Sequence, residues 1–287
     1  MSDRGYAYKI PARSIEVPNL PSFIVANEFD RHVCIPANDL GQATAVPYSR
    51  VGGLKSGDPG LAAQFRERVG LSLDQLILIH GEGPDDEQER IFGHVESGQF
   101  FAACAQLSPV VLIAPGLSVY TDGTQCRLYQ LYNMARMFHY VCRATEFGLP
   151  CIPCIAGSHP RDVDRIVEWL GHTYCDNRFL ALNFQTQGKA ALLENLRFAQ
   201  EVELRYGNKI NWVIFGQASA RHLNIIGKRL TGPVHIISSK PIHNGYCGQD
   251  LDYRPHRADR VRLDCIRENI AEQRRIVDRE LQPRPAL

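Results

Sequence analysis

The sequence lacks the features that assign many proteins to a class at first reading. No stretch approaches the roughly 20 consecutive apolar residues of a membrane-spanning helix, and the first residues contain no apolar core of a signal peptide. We therefore expect a cytoplasmic protein with no membrane partner. The formal net charge of the 287 residues is only +1, so bulk attraction to nucleic acid or to an anionic membrane is not predicted.

Several signature motifs are also missing. The sequence has no Gly-x-x-x-x-Gly-Lys-Ser/Thr phosphate loop, no Gly-x-Gly-x-x-Gly dinucleotide fingerprint after a strand and no His-Glu-x-x-His metal motif. Its nine cysteines are an odd number, which is typical of reduced thiols. Cys151 and Cys154 lie in an apolar run, where residues three apart face opposite sides of a strand. We therefore predict neither a disulfide nor a metal site, and the sequence assigns no cofactor.

The sequence does contain an alternation of short apolar runs and amphipathic segments. The runs suit strands that are buried on both faces of a parallel sheet. They cover residues 23–26, 33–35, 76–79, 110–114, 152–155, 179–182, 212–215 and 234–237. Between the later runs, and again after the last one, apolar residues recur every three or four positions and predict helices. These helices cover residues 125–145, 161–170, 190–206 and 263–281.

Eight candidate strands with helices between them predict an α/β protein with a (βα)8 TIM-barrel-like fold. An open doubly wound parallel sheet is the alternative. Residues 1–20 are expected to form an N-terminal arm, and residues 21–257 a single α/β barrel-like domain. Residues 258–287 should form a C-terminal helix that packs on this domain or at the interface of a homodimer.

Six consecutive strand ends are rich in polar and small residues. In a barrel, the carboxyl ends of all strands lie on one rim, where the active sites of this fold are found. The predicted substrate-binding residues at this rim are Ser118, Tyr120, Asn183, Gln185, Gln217, Ser239 and Lys240. The three amide side chains would recognise a planar polar group, and the serine and lysine at the end of this set would hold an anionic group.

Proton transfer at the rim is assigned to histidine and aspartate side chains. His159 and Asp122 are the candidates for moving a proton, and His80 lies at the edge of the predicted pocket. A structural interpretation stays open for each of these residues. Strand ends commonly carry Gly, Ser and Asn because these residues form turns, and a single histidine is often a packed or an exposed side chain.

One segment resembles a known family. Residues 115–122 read Pro-Gly-Leu-Ser-Val-Tyr-Thr-Asp, which is similar to the Pro-x-Phe-Ser-x-Tyr-x-Asp motif of an uncharacterised family from phages, plasmids and bacteria. Leu117 stands where that family usually has Phe, and residues 148–153 resemble its Gly-x-x-x-Ile-Pro strand. The likeness covers about residues 85–245. The family has no known function to carry over. Its occurrence in phages and plasmids implies nucleic-acid-linked biology of mobile elements, as an association only.

A more distant resemblance concerns the tRNA-guanine transglycosylases and their DNA-modifying phage relatives, which are also barrels. Residues 184–188, Phe-Gln-Thr-Gln-Gly, and the strand end at Gly216 look like the base-binding loops of that family. The family's Asp-Ser-Gly-Gly-Phe-Gln motif and its Cys-x-Cys-x-x-Cys zinc site are absent. The resemblance implies that the nucleophilic aspartate would be Asp250 or Asp252.

Two classes of function follow from these observations. The first is a barrel enzyme that binds a polar, nucleobase- or nucleotide-like ligand at the rim, with transferase or hydrolase chemistry such as nucleic-acid base modification by transglycosylation. The second is a non-catalytic binding or accessory protein of a phage or plasmid. The expected partner is a polar small molecule or nucleobase, and nucleic acid stays open as a partner.

Overall fold

The architecture is taken from a computed structural model of the chain. It describes residues 15–27, 35–51, 60–81, 85–116, 126–157, 159–172, 178–185, 189–207, 210–256 and 260–281. The strands are β1 (Phe23–Ala26), β2 (Ala43–Pro47), β3 (Leu76–His80), β4 (Val110–Ile113), β5 (Cys151–Ile152), β6 (Phe179–Asn183), β7 (Asn211–Phe215) and β8 (Val234–Ser238). The helices are α1 (Ala37–Leu40), α2 (Tyr48–Val51), α3 (Leu61–Val69), α4 (Asp85–Ser97), α5 (Gln99–Ala105), α6 (Arg127–Glu146), α7 (Pro160–His172), α8 (Lys189–Tyr206), α9 (Ala220–Gly227), α10 (Lys240–Tyr246) and α11 (Arg262–Leu281).

The eight strands form one parallel sheet that closes on itself. Their order is β5-β4-β3-β2-β1-β8-β7-β6, so every strand lies next to its sequence neighbour and β1 pairs with β8. The two ends of this series meet where Cys154 bridges Ala181. Two backbone hydrogen bonds hold this junction, from Ile155 N to the Ala181 oxygen at 2.9 Å and from Ala181 N to the Pro153 oxygen at 2.8 Å. The (βα)8 TIM-barrel prediction is therefore confirmed, and the open doubly wound sheet is wrong.

The second strand differs from its prediction. The run 33–35 was expected to be a strand, but Ile35 lies outside any strand, just before α1, and the rest of the run lies outside the described residues. The strand at this place in the barrel is β2. Its residues Ala43 and Ala45 face the barrel interior. Because the interior accepts small side chains at these positions, β2 contains few large apolar residues and does not stand out in the sequence.

The core has two layers, one inside the barrel and one between the sheet and the helices. Alternate residues of each strand face opposite layers, as the pleat of a strand requires. The interior layer includes Ile24, Ala26, Leu78, Val111, Ile113, Ile152, Cys154, Ala181, Val213, Phe215 and Ile237. Cys151 packs against the outer layer instead, so the prediction that Cys151 and Cys154 face opposite ways is confirmed.

Both chain ends of the described region pack against the barrel. Val17 and Leu20, which precede β1, are buried in the interior layer at the amino ends of the strands. Helix α11 buries Ile266, Ile270 and Val277 in the outer layer and contacts α9, α10 and β1. A homodimer through this helix stays a prediction. Among the helices that the structure describes, none is long and apolar enough to span a membrane.

Candidate functional site

A cleft of about 450 Å³ opens at the carboxyl ends of β6, β7 and β8. The loop after each of these strands forms one wall of it, and the turn that follows α10 adds a fourth. The cleft is lined by Phe184, Gln185, Gly216, Gln217, Ala218, Ser219, His222, Ser238, Ser239, Lys240, His243, Asn244 and Tyr253. Most of these residues carry polar or titratable side chains, which can give a ligand hydrogen-bond donors and acceptors.

Four of the predicted binding residues lie in this cleft. They are Gln185, Gln217, Ser239 and Lys240, which follow three successive strands. Asn183 supports the cleft rather than lining it, because its Oδ1 accepts a hydrogen bond from the backbone N–H of Gln185 at 2.9 Å. This short Asx turn orients the loop after β6.

The loop after β7 has an unusual backbone. Gly216 and Gln217 both have positive φ, at 76° and 51°. A Cβ at Gly216 would lie 3.2 Å from the backbone nitrogen of Gln185, so the glycine permits close contact between two walls. Gln217 is held in its left-handed conformation by a hydrogen bond from Nε2 to the Phe184 oxygen at 3.1 Å. Such a conformation costs a non-glycine residue about 1–3 kcal/mol, and residues of this kind cluster at functional sites.

The cation of the cleft is Lys240. Its ammonium lies 4.7 Å from the centroid of the Tyr253 ring, within the range of a cation–π contact. Burial lowers the pKa of Lys240, while the carboxylates of Asp252 and Asp250 act in the opposite direction. The nearby carboxylates and the aromatic face both favour the charged form of Lys240, which lines the cleft.

Sequence analysis missed two histidines in the lining. His222 lies in α9, and its Nδ1 is 3.0 Å from the hydroxyl oxygen of Ser219, the N-cap of that helix. Burial and then the charge of Arg221 lower the pKa of His222. Both effects disfavour the protonated form, and the ring nitrogen lies within hydrogen-bond distance of the serine hydroxyl. His243 lies in α10. Their position in the short helices that follow β7 and β8 is the feature of the sequence that could have identified both residues.

The walls of the cleft are fixed by buried amide side chains. Gln273 of α11 donates to the Ala218 oxygen at 2.7 Å. Asn269, one turn earlier, donates to the oxygens of Pro241 at 3.3 Å and Gln249 at 2.8 Å. Both amides are almost fully buried. Because these contacts lock backbone segments in two different loops, the cleft is pre-organised by the helix behind it.

His80 lies inside the barrel rather than at the edge of the cleft. It lies two residues after Leu78 and therefore on the same, interior face of β3, and its ring centroid is 5.2 Å from that of Phe215. Only 1% of its surface is exposed. Within the part of the chain that the structure describes, neither ring nitrogen has a hydrogen-bond partner. Burial lowers the pKa of His80 to about 4, so the imidazole is neutral at physiological pH.

His159 stands apart from the cleft lining. It is exposed just before α7, where its backbone N–H donates to Asp162 at 3.1 Å and its Nδ1 accepts from the Arg161 N–H at 3.1 Å. The buried carboxylate of Asp162 is also bound by both terminal nitrogens of Arg127. These contacts give His159 a local role at the start of a helix, and its predicted part in proton transfer stays a prediction.

The remaining predicted residues cannot be placed. Ser118, Tyr120 and Asp122 lie outside the described residues, so their roles stay predictions. Across the described ranges, no group of three or more His, Cys, Asp or Glu side chains is arranged to hold a metal ion.

Comparisons with known proteins were made for the whole chain. No model of a known protein family matches it, and no curated protein matches it. Among solved structures, the chain is similar to a putative fructose-1,6-biphosphate aldolase from Coccidioides immitis, with a TM-score of 0.40 and 12% sequence identity. That match covers 92% of this chain and 88% of the other. The assignment of the fold rests on the order and pairing of the strands, independently of this likeness.

Proposed function

We propose that this protein is a barrel enzyme that binds a small, polar, anionic ligand at the carboxyl ends of β6, β7 and β8. One observation carries the proposal. The loops after three successive strands supply Gln185, Gln217 and Lys240 to a single cleft of about 450 Å³, and the short helices α9 and α10 add two histidines. In barrels of this kind, the loops after the seventh and eighth strands frequently form a phosphate site.

Each group in the cleft has a role that fits its chemistry. Lys240 and Ser239 hold the anionic group, because an ammonium and a hydroxyl are donors suited to phosphate or carboxylate oxygens. Gln185 offers a paired donor and acceptor to a planar polar group, beside Gln217, whose Nε2 donates to the Phe184 oxygen. We assign the proton acceptor to His222 in place of His159, because its Nδ1 lies 3.0 Å from the Ser219 hydroxyl oxygen in the cleft.

We assign acid–base catalysis to this cleft, and not a mechanism with a carboxylate nucleophile. Asp250 is tied to its own turn, since its Oδ1 accepts the backbone N–H groups of Asp252 at 2.8 Å and Arg254 at 2.9 Å. Neither Asp250 nor Asp252 is among the residues lining the cleft. The transglycosylase mechanism expected from the resemblance thus finds little support here, and the connection to mobile elements stays a prediction.

Mass spectrometry of small molecules that co-purify with the protein tests this proposal. The wild-type protein, purified without denaturation, should retain a polar anionic molecule that the Lys240→Met variant does not retain. Lys228→Met provides a matched control, because this exposed lysine lies outside the lining of the cleft. Identical small-molecule profiles for all three proteins would contradict the proposal.

A further inference from the structure

Tyr253 presents its ring to solvent at the edge of the cleft. Its side chain is 61% exposed, although a tyrosine ring carries a large apolar surface that folding normally buries. The ring also lines the cleft next to Lys240. An exposed aromatic ring beside a polar cleft is therefore a candidate contact for a ligand.

The backbone at Tyr253 is strained. Its φ is 64°, and among the described residues only Gln217 shares a positive φ without being glycine. Both residues line the same cleft. A left-handed conformation is rare for a bulky residue because its Cβ approaches the following carbonyl oxygen. The turn that begins at Asp250 sets this conformation, and the conformation places the ring at the edge of the cleft.

Hydrogen bonds hold the turn that carries this ring. The carboxylate of Asp250 accepts two backbone N–H groups of the turn, and Tyr253 N donates to the Asp250 oxygen at 3.1 Å. Asn244 donates to the same oxygen at 2.7 Å, and Asn269 donates to the adjoining Gln249 oxygen at 2.8 Å. Both asparagines are buried. The backbone that carries the exposed ring is thus held beside the cleft by groups in the body of the protein.

The neighbours of the ring define the ligand that would suit it. A flat aromatic face accepts the face of a second ring, and such stacking is tolerant of the identity of the base. Lys240 lies over one face of the Tyr253 ring, and the other face can accept a base. Gln185 lines the same cleft and can offer its amide to the polar edge of a heterocycle. An aromatic face, an amide and an ammonium together match a heterocyclic base that is joined to an anionic group.

We propose that Tyr253 is a stacking platform and that the ligand of the cleft belongs to the nucleotide class. This inference rests on the proposed anion site at Lys240 and adds the aromatic half of the ligand. Tyr253 is then a specificity-determining residue, which separates a nucleotide from a sugar phosphate that lacks the base.

Titration calorimetry with matched probes tests the inference. The probes are the 5′-monophosphates of adenosine, guanosine, cytidine and uridine, together with ribose 5-phosphate, which has the anion and the sugar but no base. At least one nucleotide should bind the wild-type protein about tenfold more tightly than ribose 5-phosphate. Tyr253→Phe should keep this ratio, because phenylalanine also stacks. Tyr253→Ala should remove it.

Tyr253→Gly keeps the test decisive if the alanine variant is unstable. Glycine adopts positive φ without strain, so this variant should be at least as stable as Tyr253→Ala and still lose the nucleotide preference. If ribose 5-phosphate binds as tightly as every nucleotide, or if the preference survives in Tyr253→Gly, the stacking inference is wrong while the anion site stands. If no probe binds, both the inference and the proposed anion site are contradicted.

Discussion

At the scale of single residues, His80 is the least explained side chain in the barrel. A neutral imidazole has one donor and one acceptor, and both are unpaired among the described residues. Each unpaired buried group costs about 1–3 kcal/mol. Burial of such a group in the interior layer, close to the rim, therefore lowers the stability of the fold.

Replacing His80 by Leu should raise the stability of the protein. At pH 7.5 we expect a gain of about 1–3 kcal/mol, because the substitution removes unpaired polar atoms from an apolar layer. Urea denaturation followed by circular dichroism measures it. A clear loss of stability at pH 7.5 would show that the imidazole has a partner in solution.

His80 should also make the stability of the protein depend on pH. The pKa of His80 is about 4 in the folded protein, below its ordinary value of 6.5. The folded state therefore loses stability relative to the unfolded chain as pH falls from about 6.5 towards 4, since only the unfolded chain gains the proton. The loss approaches about 3 kcal/mol. Between pH 7 and 4.5, wild-type stability should fall more steeply than that of His80→Leu. Parallel curves would contradict the low pKa.

At position 217, a glycine substitution should give a more stable protein than an alanine substitution, which is the reverse of the usual order. Both substitutions remove the hydrogen bond from Nε2 to the Phe184 oxygen. Only glycine also relieves the positive φ, so Gln217→Gly should be more stable than Gln217→Ala by about 1 kcal/mol. Thermal unfolding of the two variants measures the difference, and a more stable alanine variant would show that the loop relaxes to another conformation.

At the scale of secondary-structure elements, one buried arginine connects several segments at the amino ends of the barrel strands. Arg66 of α3 is 1% exposed and donates to four carbonyl oxygens. The acceptors are Ser72 at 2.7 Å, Gln75 at 2.7 Å, Leu107 at 2.6 Å and Pro109 at 3.3 Å. The side chain thereby joins the segments that lead into β3 and β4.

Arg66→Met should destabilise the protein by about 3 kcal/mol or more, because it leaves several buried carbonyl oxygens without donors. Denaturant unfolding measures the change. Arg68→Met, two residues further along the same helix on its exposed side, should cost less than about 1 kcal/mol. Equal effects of the two substitutions would contradict the connecting role of Arg66.

Elements with a strong periodic pattern could be predicted from the sequence, and those shaped by tertiary contacts could not. Helices α6, α8 and α11 have long apolar stripes and lie within a few residues of their predicted bounds. The small residues of β2 gave no such signal. The turn that carries Tyr253 could not be predicted, because its conformation depends on hydrogen bonds from Asn244 and Asn269, which are remote from any local pattern.

At the scale of the whole molecule, barrel closure explains which site residues could be found in advance. Once the strands close into a ring, residues after β6, β7 and β8 share one rim, so Gln185, Gln217 and Lys240 reach a common cleft. The rule fails for side chains farther from a strand end. His222 and His243 lie on the helices beyond these ends, and the rule contains no information about where such helices place them.

The central claim is that the cleft at the ends of β6, β7 and β8 binds an anionic ligand. Paired measurements on Lys240→Ala test it most directly, with affinity for ribose 5-phosphate from calorimetry and melting temperature from thermal unfolding. We predict at least tenfold weaker binding, equivalent to about 1.4 kcal/mol, with a melting temperature close to that of the wild type. A lowered melting temperature with unchanged affinity would identify Lys240 as a structural residue and contradict the claim.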